Sequence, residues 1–140
     1  MIFVIVNQSS KKEFNLPKFE SSKLYGAPKV PSEYQWEIIS TNNFCVGLSS
    51  NVYLKGNKIN TYFSNPAEND VWLKLRLIDE KGQIHAETGI IKEGEFIESI
   101  YLENKESIVG QLDFKVMAYE PETYYSAGSV IINPKIVQAN

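Results

Sequence analysis

The chain has 140 residues, 43% of them apolar, enough for one sizeable core and too few for two comfortable domains. Its 14 basic and 17 acidic residues leave a net charge of −3 with the lone histidine neutral, which argues against nucleic acid or an anionic membrane surface as the main partner. The 7 Phe, 8 Tyr and 2 Trp exclude a disordered polar tail, because they supply far more packing surface than such a tail carries.

Met1, Ile2, Phe3, Val4, Ile5 and Val6 open the chain as an apolar run too short to cross a bilayer. The run lacks the basic start and small-residue cleavage site of a signal peptide and reads as a buried strand. The polar stretch after it, residues 7–12, would equally suit a chain trimmed just after a membrane anchor, so membrane association is expected only through an anchor preceding Met1. Residues 7–35 are interrupted by Pro17, Gly26, Pro28 and Pro31, which fix or bend the backbone and deny it helix. The chain therefore divides into an N-terminal strand with a proline-containing lead-in, residues 1–33, and a β-rich domain, residues 34–140.

From Tyr34 onward short β-branched and aromatic runs alternate with turn residues. Trp36 and Ile38, then Phe44, Val46 and Leu48, then Ile59, Thr61 and Phe63 repeat every second residue, the period of a half-buried strand. Residues 71–79 give the clearest case, with Val71, Leu73, Leu75 and Leu77 on one face and Trp72, Lys74 and Arg76 on the other. Glu80, Lys81, Gly82 and Gln83 predict a tight hairpin, and residues 84–91 the returning strand, in which Gly89 marks a bulge or a close backbone approach. Strands follow over residues 96–102, 112–119 and 127–132, with turns at 92–95 and 120–123 and a polar turn at 103–107. The sum is an all-β fold of about seven or eight strands, most economically an antiparallel β-sandwich, although a closed barrel satisfies the same alternation.

Chemistry is harder to place. Cys45, the only cysteine, excludes an intramolecular disulfide and reads as a small buried hydrophobe between Phe44 and Val46. One His and one Cys exclude a soft-metal cage, and Glu68, Asn69 and Asp70 lack the Asp-x-Asp spacing of a calcium loop. His85 lies near Glu87 in a strand, with no serine in a Gly-x-Ser-x-Gly turn, and the 8 glycines are dispersed rather than gathered into a phosphate loop. No enzyme, metal or cofactor is expected. The aromatic residues are the one binding signal: Tyr124 and Tyr125 occupy a loop with Tyr119 just before it, a candidate surface for stacking on sugar rings or anchoring a protein. Tyr25, Tyr34 and Trp36 fall near the lead-in, and Trp36 and Phe114 are expected to fill the core.

Residues 59–132 resemble a group of immunoglobulin-like β-sandwich domains of Gram-positive secreted, lipoprotein and cell-wall-associated proteins. The strand and break ending at Pro66, the strand 71–78, Thr88-Gly89-Ile90-Ile91, the Glu93-Gly94 turn, the strand 114–119 before Glu120-Pro121-Glu122-Thr123, and Ala127-Gly128 carry it. Glu93-Gly94 stands where the group has Pro-Gly, and Val109-Gly110-Gln111-Leu112 where it has Gly-Thr-Tyr. The resemblance implies an immunoglobulin-like fold, an extracytoplasmic setting at the cell surface or in the medium, and no catalytic residue. It makes the chain an expected structural or protein-interaction module of an envelope assembly, with a protein partner or self-association. A carbohydrate-binding module using Tyr124 and Tyr125 is the alternative. The strand-forming residues 1–6 followed by a spacer also suggest strand donation to a neighbouring sheet edge.

Overall fold

Period-two alternation makes sheets here because each strand has one apolar face to bury. In the computed structural model, which describes residues 17–138, Leu73, Leu75 and Leu77 are fully buried, while Lys74 and Arg76 lie on the other side of their strand. Eleven strands result among the described residues: β1 (Leu24–Tyr25), β2 (Trp36–Ser40), β3 (Cys45–Ser49), β4 (Asn51–Lys55), β5 (Lys58–Asn65), β6 (Trp72–Ile78), β7 (Ile84–Glu87), β8 (Glu95–Tyr101), β9 (Asp113–Tyr119), β10 (Ser126–Ile132) and β11 (Lys135–Gln138). Two short 3-10 turns, Ser32–Tyr34 and Lys105–Ser107, are the only helical elements among these residues.

The strands form two sheets. The larger has the order β1-β8-β5-β3-β2, with β4 also paired to β5 and β11 paired to β4; the smaller has the order β10-β9-β6-β7. Every pairing is antiparallel except that of β11 with β4. Val46, Leu48, Ile59, Phe63 and Ile97 of the larger sheet join Leu73, Leu75, Leu77, Phe114 and Val116 of the smaller in one continuous buried cluster. Each such side chain contributes about 1.5–3 kcal/mol by leaving water. Among the described residues both sheets end in unpaired edges, so the architecture is a two-sheet sandwich and not a closed barrel.

The strand count exceeds the expected seven or eight for identifiable reasons. β1 is two residues long and exists only because Leu24 and Tyr25 find Phe96 and Glu95 of β8. β3 and β4 are parted at Ser50, so that β3 pairs with β2 while β4 pairs with β11. Asn133-Pro134 does not end the chain's β-structure; there the backbone leaves the smaller sheet, and β11 resumes in the larger one. The returning strand predicted over 84–91 stops at Glu87, and Ile91 comes back as an isolated bridge to Leu73.

The lead-in is fastened to the sandwich from Pro17 onward. Phe19 bridges Ile90 in parallel, the Glu20 N–H donates to the Ile90 carbonyl at 2.9 Å, and the Ile90 N–H to the Lys18 carbonyl at 2.7 Å. The strand expected over residues 1–6, and with it the strand-donation reading, lies outside the described residues. Trp36 is not a core residue. It lies on the outside of the larger sheet over Gly47, where its Nε1 donates to the Tyr62 carbonyl at 2.9 Å.

Candidate functional site

The outer face of the smaller sheet follows from register. With Leu73, Leu75 and Leu77 turned inward, Trp72 faces Tyr119, Lys74 faces Met117, and Arg76 lies between Lys115 on β9 and Glu87 on β7. Trp72 is covered from two directions: the Phe19 ring meets it edge-on at 5.2 Å and the Tyr124 ring at 5.8 Å. The Lys92 ammonium stands 4.8 Å from the Phe19 ring centre and 5.2 Å from that of Trp72, a cation held against two aromatic faces. Segments far apart in sequence thus converge on one indole.

Beside this cluster runs a groove of about 580 Å³, walled by residues 17–21 on one side and by Tyr119 on the other. Lys74, Arg76 and Glu87 also line it. Arg76 donates from Nε at 3.1 Å and Nη2 at 2.9 Å to Glu87 Oε1, and Lys74 Nζ stands 3.1 Å from the same oxygen. The Lys74 side chain is only 14% exposed, against 28% for Arg76 and 32% for Glu87. Partial burial pushes the Glu87 carboxyl up, but the hydrogen bonds from Arg76 and Lys74 outweigh it and hold the group below the usual carboxylate range. Burial raises the Tyr119 hydroxyl, with Arg76 opposing and Glu87 adding to the shift.

Gly89 sets the position of the near wall. A Cβ there would lie 2.6 Å from the Glu20 nitrogen and 2.7 Å from its Cα, so only glycine lets the lead-in backbone approach. Glu20 answers with Oε1, which accepts the Gly89 N–H at 2.7 Å. This is the close approach that a glycine inside a strand pattern suggested.

Of the three tyrosines singled out from sequence, the structure brings Tyr119 and Tyr124 to Trp72 and leaves Tyr125 apart. Tyr124 adopts a left-handed backbone with φ 63°, its N–H donating to the Glu120 carbonyl at 3.0 Å. Tyr125 is 69% exposed and makes no ring contact among the described residues. Sequence reasoning missed Phe19, Lys92 and the Lys74, Arg76 and Glu87 triad. The available signal was the outward parity of Trp72, Lys74 and Arg76, which showed a shared face but not its partners.

The other candidates serve the scaffold. His85 is buried against Asp79, with Nε2 2.8 Å from Oδ2. In the acidic loop Asn69 clips the chain, its Nδ2 donating to the Cys45 carbonyl at 2.6 Å and to Asn65 Oδ1 at 2.7 Å. Cys45 is partly buried, and burial with the adjacent Glu68 pushes its thiol up, away from the thiolate form. Tyr34 does assemble with other rings, 4.9 Å from Tyr53 and 5.2 Å from Tyr62, on the outside of the larger sheet. In comparisons with known proteins, no family, no curated protein and no solved structure matches this chain.

Proposed function

We propose that the chain is a non-enzymatic protein-interaction module of immunoglobulin-like type, working outside the cytoplasmic membrane in a Gram-positive envelope assembly. The observation that carries the docking part is the outer face of β10-β9-β6-β7, where aromatic, aliphatic and cationic side chains stand together, flanked by residues 17–21 at the Trp72 end and open around Ile131. Ile131, 57% exposed, lies opposite Lys115 in that face. Large aromatics and arginine set in such a face are the usual anchors of protein recognition.

The immunoglobulin-like part is supported by strand order: the β3/β4-β5-β8 portion of one sheet packs on the four strands β10-β9-β6-β7 of the other. The envelope setting rests on the resemblance over residues 59–132. The non-enzymatic part is supported by where the ionisable groups spend their hydrogen bonds: Asp79 and His85 on a hairpin, Glu87 on Lys74 and Arg76.

A photo-crosslinking residue placed at Met117 or Ile131 in intact cells tests the reading, with Lys55 on the opposite sheet as the control. Protein adducts are expected from the first two positions and not from Lys55; equal adducts from all three, or none, would sink the proposal. Carbohydrate binding is the second reading, favoured by the exposure of Tyr125 beside a Tyr124 held by Trp72. It requires a glycan-array signal that Tyr125→Ala removes.

A further inference from the structure

We infer that the groove over Lys74 and Arg76 binds a carboxylate, and that the partner segment entering it is an acidic peptide. This rests on the docking reading above and names the chemistry of its partner.

The argument begins with donors. Arg76 has five N–H groups and directs two of them, from Nε and Nη2, at one oxygen of Glu87; Lys74 has three and directs one at that same oxygen. Neither side chain makes another hydrogen bond among the described residues. Two cations therefore share one carboxylate oxygen where the lysine side chain is 14% exposed, and the charged residues that line the groove, Lys18, Lys74 and Arg76 against Glu20 and Glu87, leave it one net positive charge. Three N–H groups of Arg76 and two of Lys74 have no acceptor among the described residues, so this arrangement favours a second anion.

Glu87 itself shows what kind. Its carboxylate engages the guanidinium through Oε1 alone, whereas a planar carboxylate facing Arg76 squarely accepts two parallel N–H bonds. Glu87 also ends β7, a four-residue strand with a strand neighbour on one side only among the described residues. It acts as an internal stand-in, occupying the cations with half of the contacts that an incoming carboxylate would make. The walls suit a peptide: Tyr119 and Phe19 offer ring surface to a neighbouring side chain, and Ser21 and Thr88 line the same groove. Lys18, also at the groove, adds a third cation, and Glu20 a second carboxylate that is already bonded to the Gly89 N–H and to Ser22.

The test titrates acetyl-tetraglutamate amide into the full chain, with the tetraglutamine peptide and inorganic phosphate as controls, following the amide resonances of Glu87, Thr88 and Gly89. Saturable shifts are expected with the glutamate peptide alone, weakening with added salt. Arg76→Gln and Lys74→Met should each lower affinity about tenfold or more, and Lys74→Arg should retain it. Glu87→Gln should raise affinity several-fold because the internal competitor is gone. A Glu87→Gln variant that binds more weakly, cation variants that bind unchanged while still folded by circular dichroism, or equal shifts with phosphate would each overturn the inference. If the peptide fails while crosslinks from Met117 and Ile131 persist, the acidic ligand falls and the docking face stands; if both fail, both fall.

Discussion

Asp79 and His85 meet across the β6–β7 hairpin, Oδ2 2.8 Å from Nε2, with both side chains buried. Asp79 also accepts the N–H groups of Lys81 at 2.9 Å, Gln83 at 3.0 Å and Val109 at 3.1 Å. One carboxylate thereby closes the turn and ties it to the crossing between β8 and β9. Burial pushes that carboxyl up, but the bonds from His85 and the three backbone N–H groups hold it far below the usual range. A depressed carboxylate contributes stability that is complete above its unfolded value, about 3.9, and is lost as pH falls through the folded value. Asp79→Asn, which offers an acceptor on one side only, should therefore lower the melting temperature by several degrees. As far as the Asp79 carboxylate is concerned, the gap from the native chain should close as pH falls below about 5, as thermal melts down to about pH 3 would show.

Gly89→Ala should detach the lead-in. The added methyl would meet the Glu20 and Phe19 backbone, which has no rotamer with which to yield. A loss of about 1–3 kcal/mol is expected in urea unfolding. Amide exchange should speed up at Glu20 and Ile90, whose N–H groups bond across this contact, while Val116 in β9, between β6 and β10, keeps its protection.

Asn65 should tolerate no carboxylate. Its buried Nδ2 donates to the Val71 carbonyl at 2.8 Å and the Ile91 carbonyl at 3.1 Å, and its Oδ1 accepts from Asn69. Asn65→Asp removes both donations and sets an anion against two carbonyl oxygens. With about 1–3 kcal/mol lost for each stranded buried group, the urea midpoint should fall by more than in Gly89→Ala.

Trp36 should report on Gly47 by fluorescence. A Cβ at Gly47 would run into the indole, so Gly47→Ala should displace the ring, break its bond to the Tyr62 carbonyl and shift its emission to the red. In a Trp72→Phe background the signal belongs to Trp36 alone, and unchanged emission there would refute the packing.

What could be read from the chain depended on whether neighbours in sequence were also neighbours in space. β6 and β9 were legible because Leu73, Leu75 and Leu77, and Phe114, Val116 and Ala118, alternate without interruption and bury one face. β1 and β11 were not, since two and four residues carry little period and each is fixed by a strand distant in sequence. β5 hides its irregularity in the same way: Ile59, Thr61 and Phe63 keep their parity, yet Tyr62 has φ 49° and the register with β8 shifts beside it. At the groove, Tyr119 stood out as an aromatic near a turn, while Lys74 and Arg76 read as an ordinary wet face. Glu87 reaches them through hairpin register, which composition does not reveal.

The bond from Gly89 to Glu20 joins residues 69 positions apart. A closure of that length gains little until the hairpin and the return to Ile91 already stand, so the lead-in should dock after them. It is also the part that can leave first without melting either sheet. The wall of the groove should thus form after its floor, with Lys74 in position on β6 before residues 17–21 arrive to shelter it.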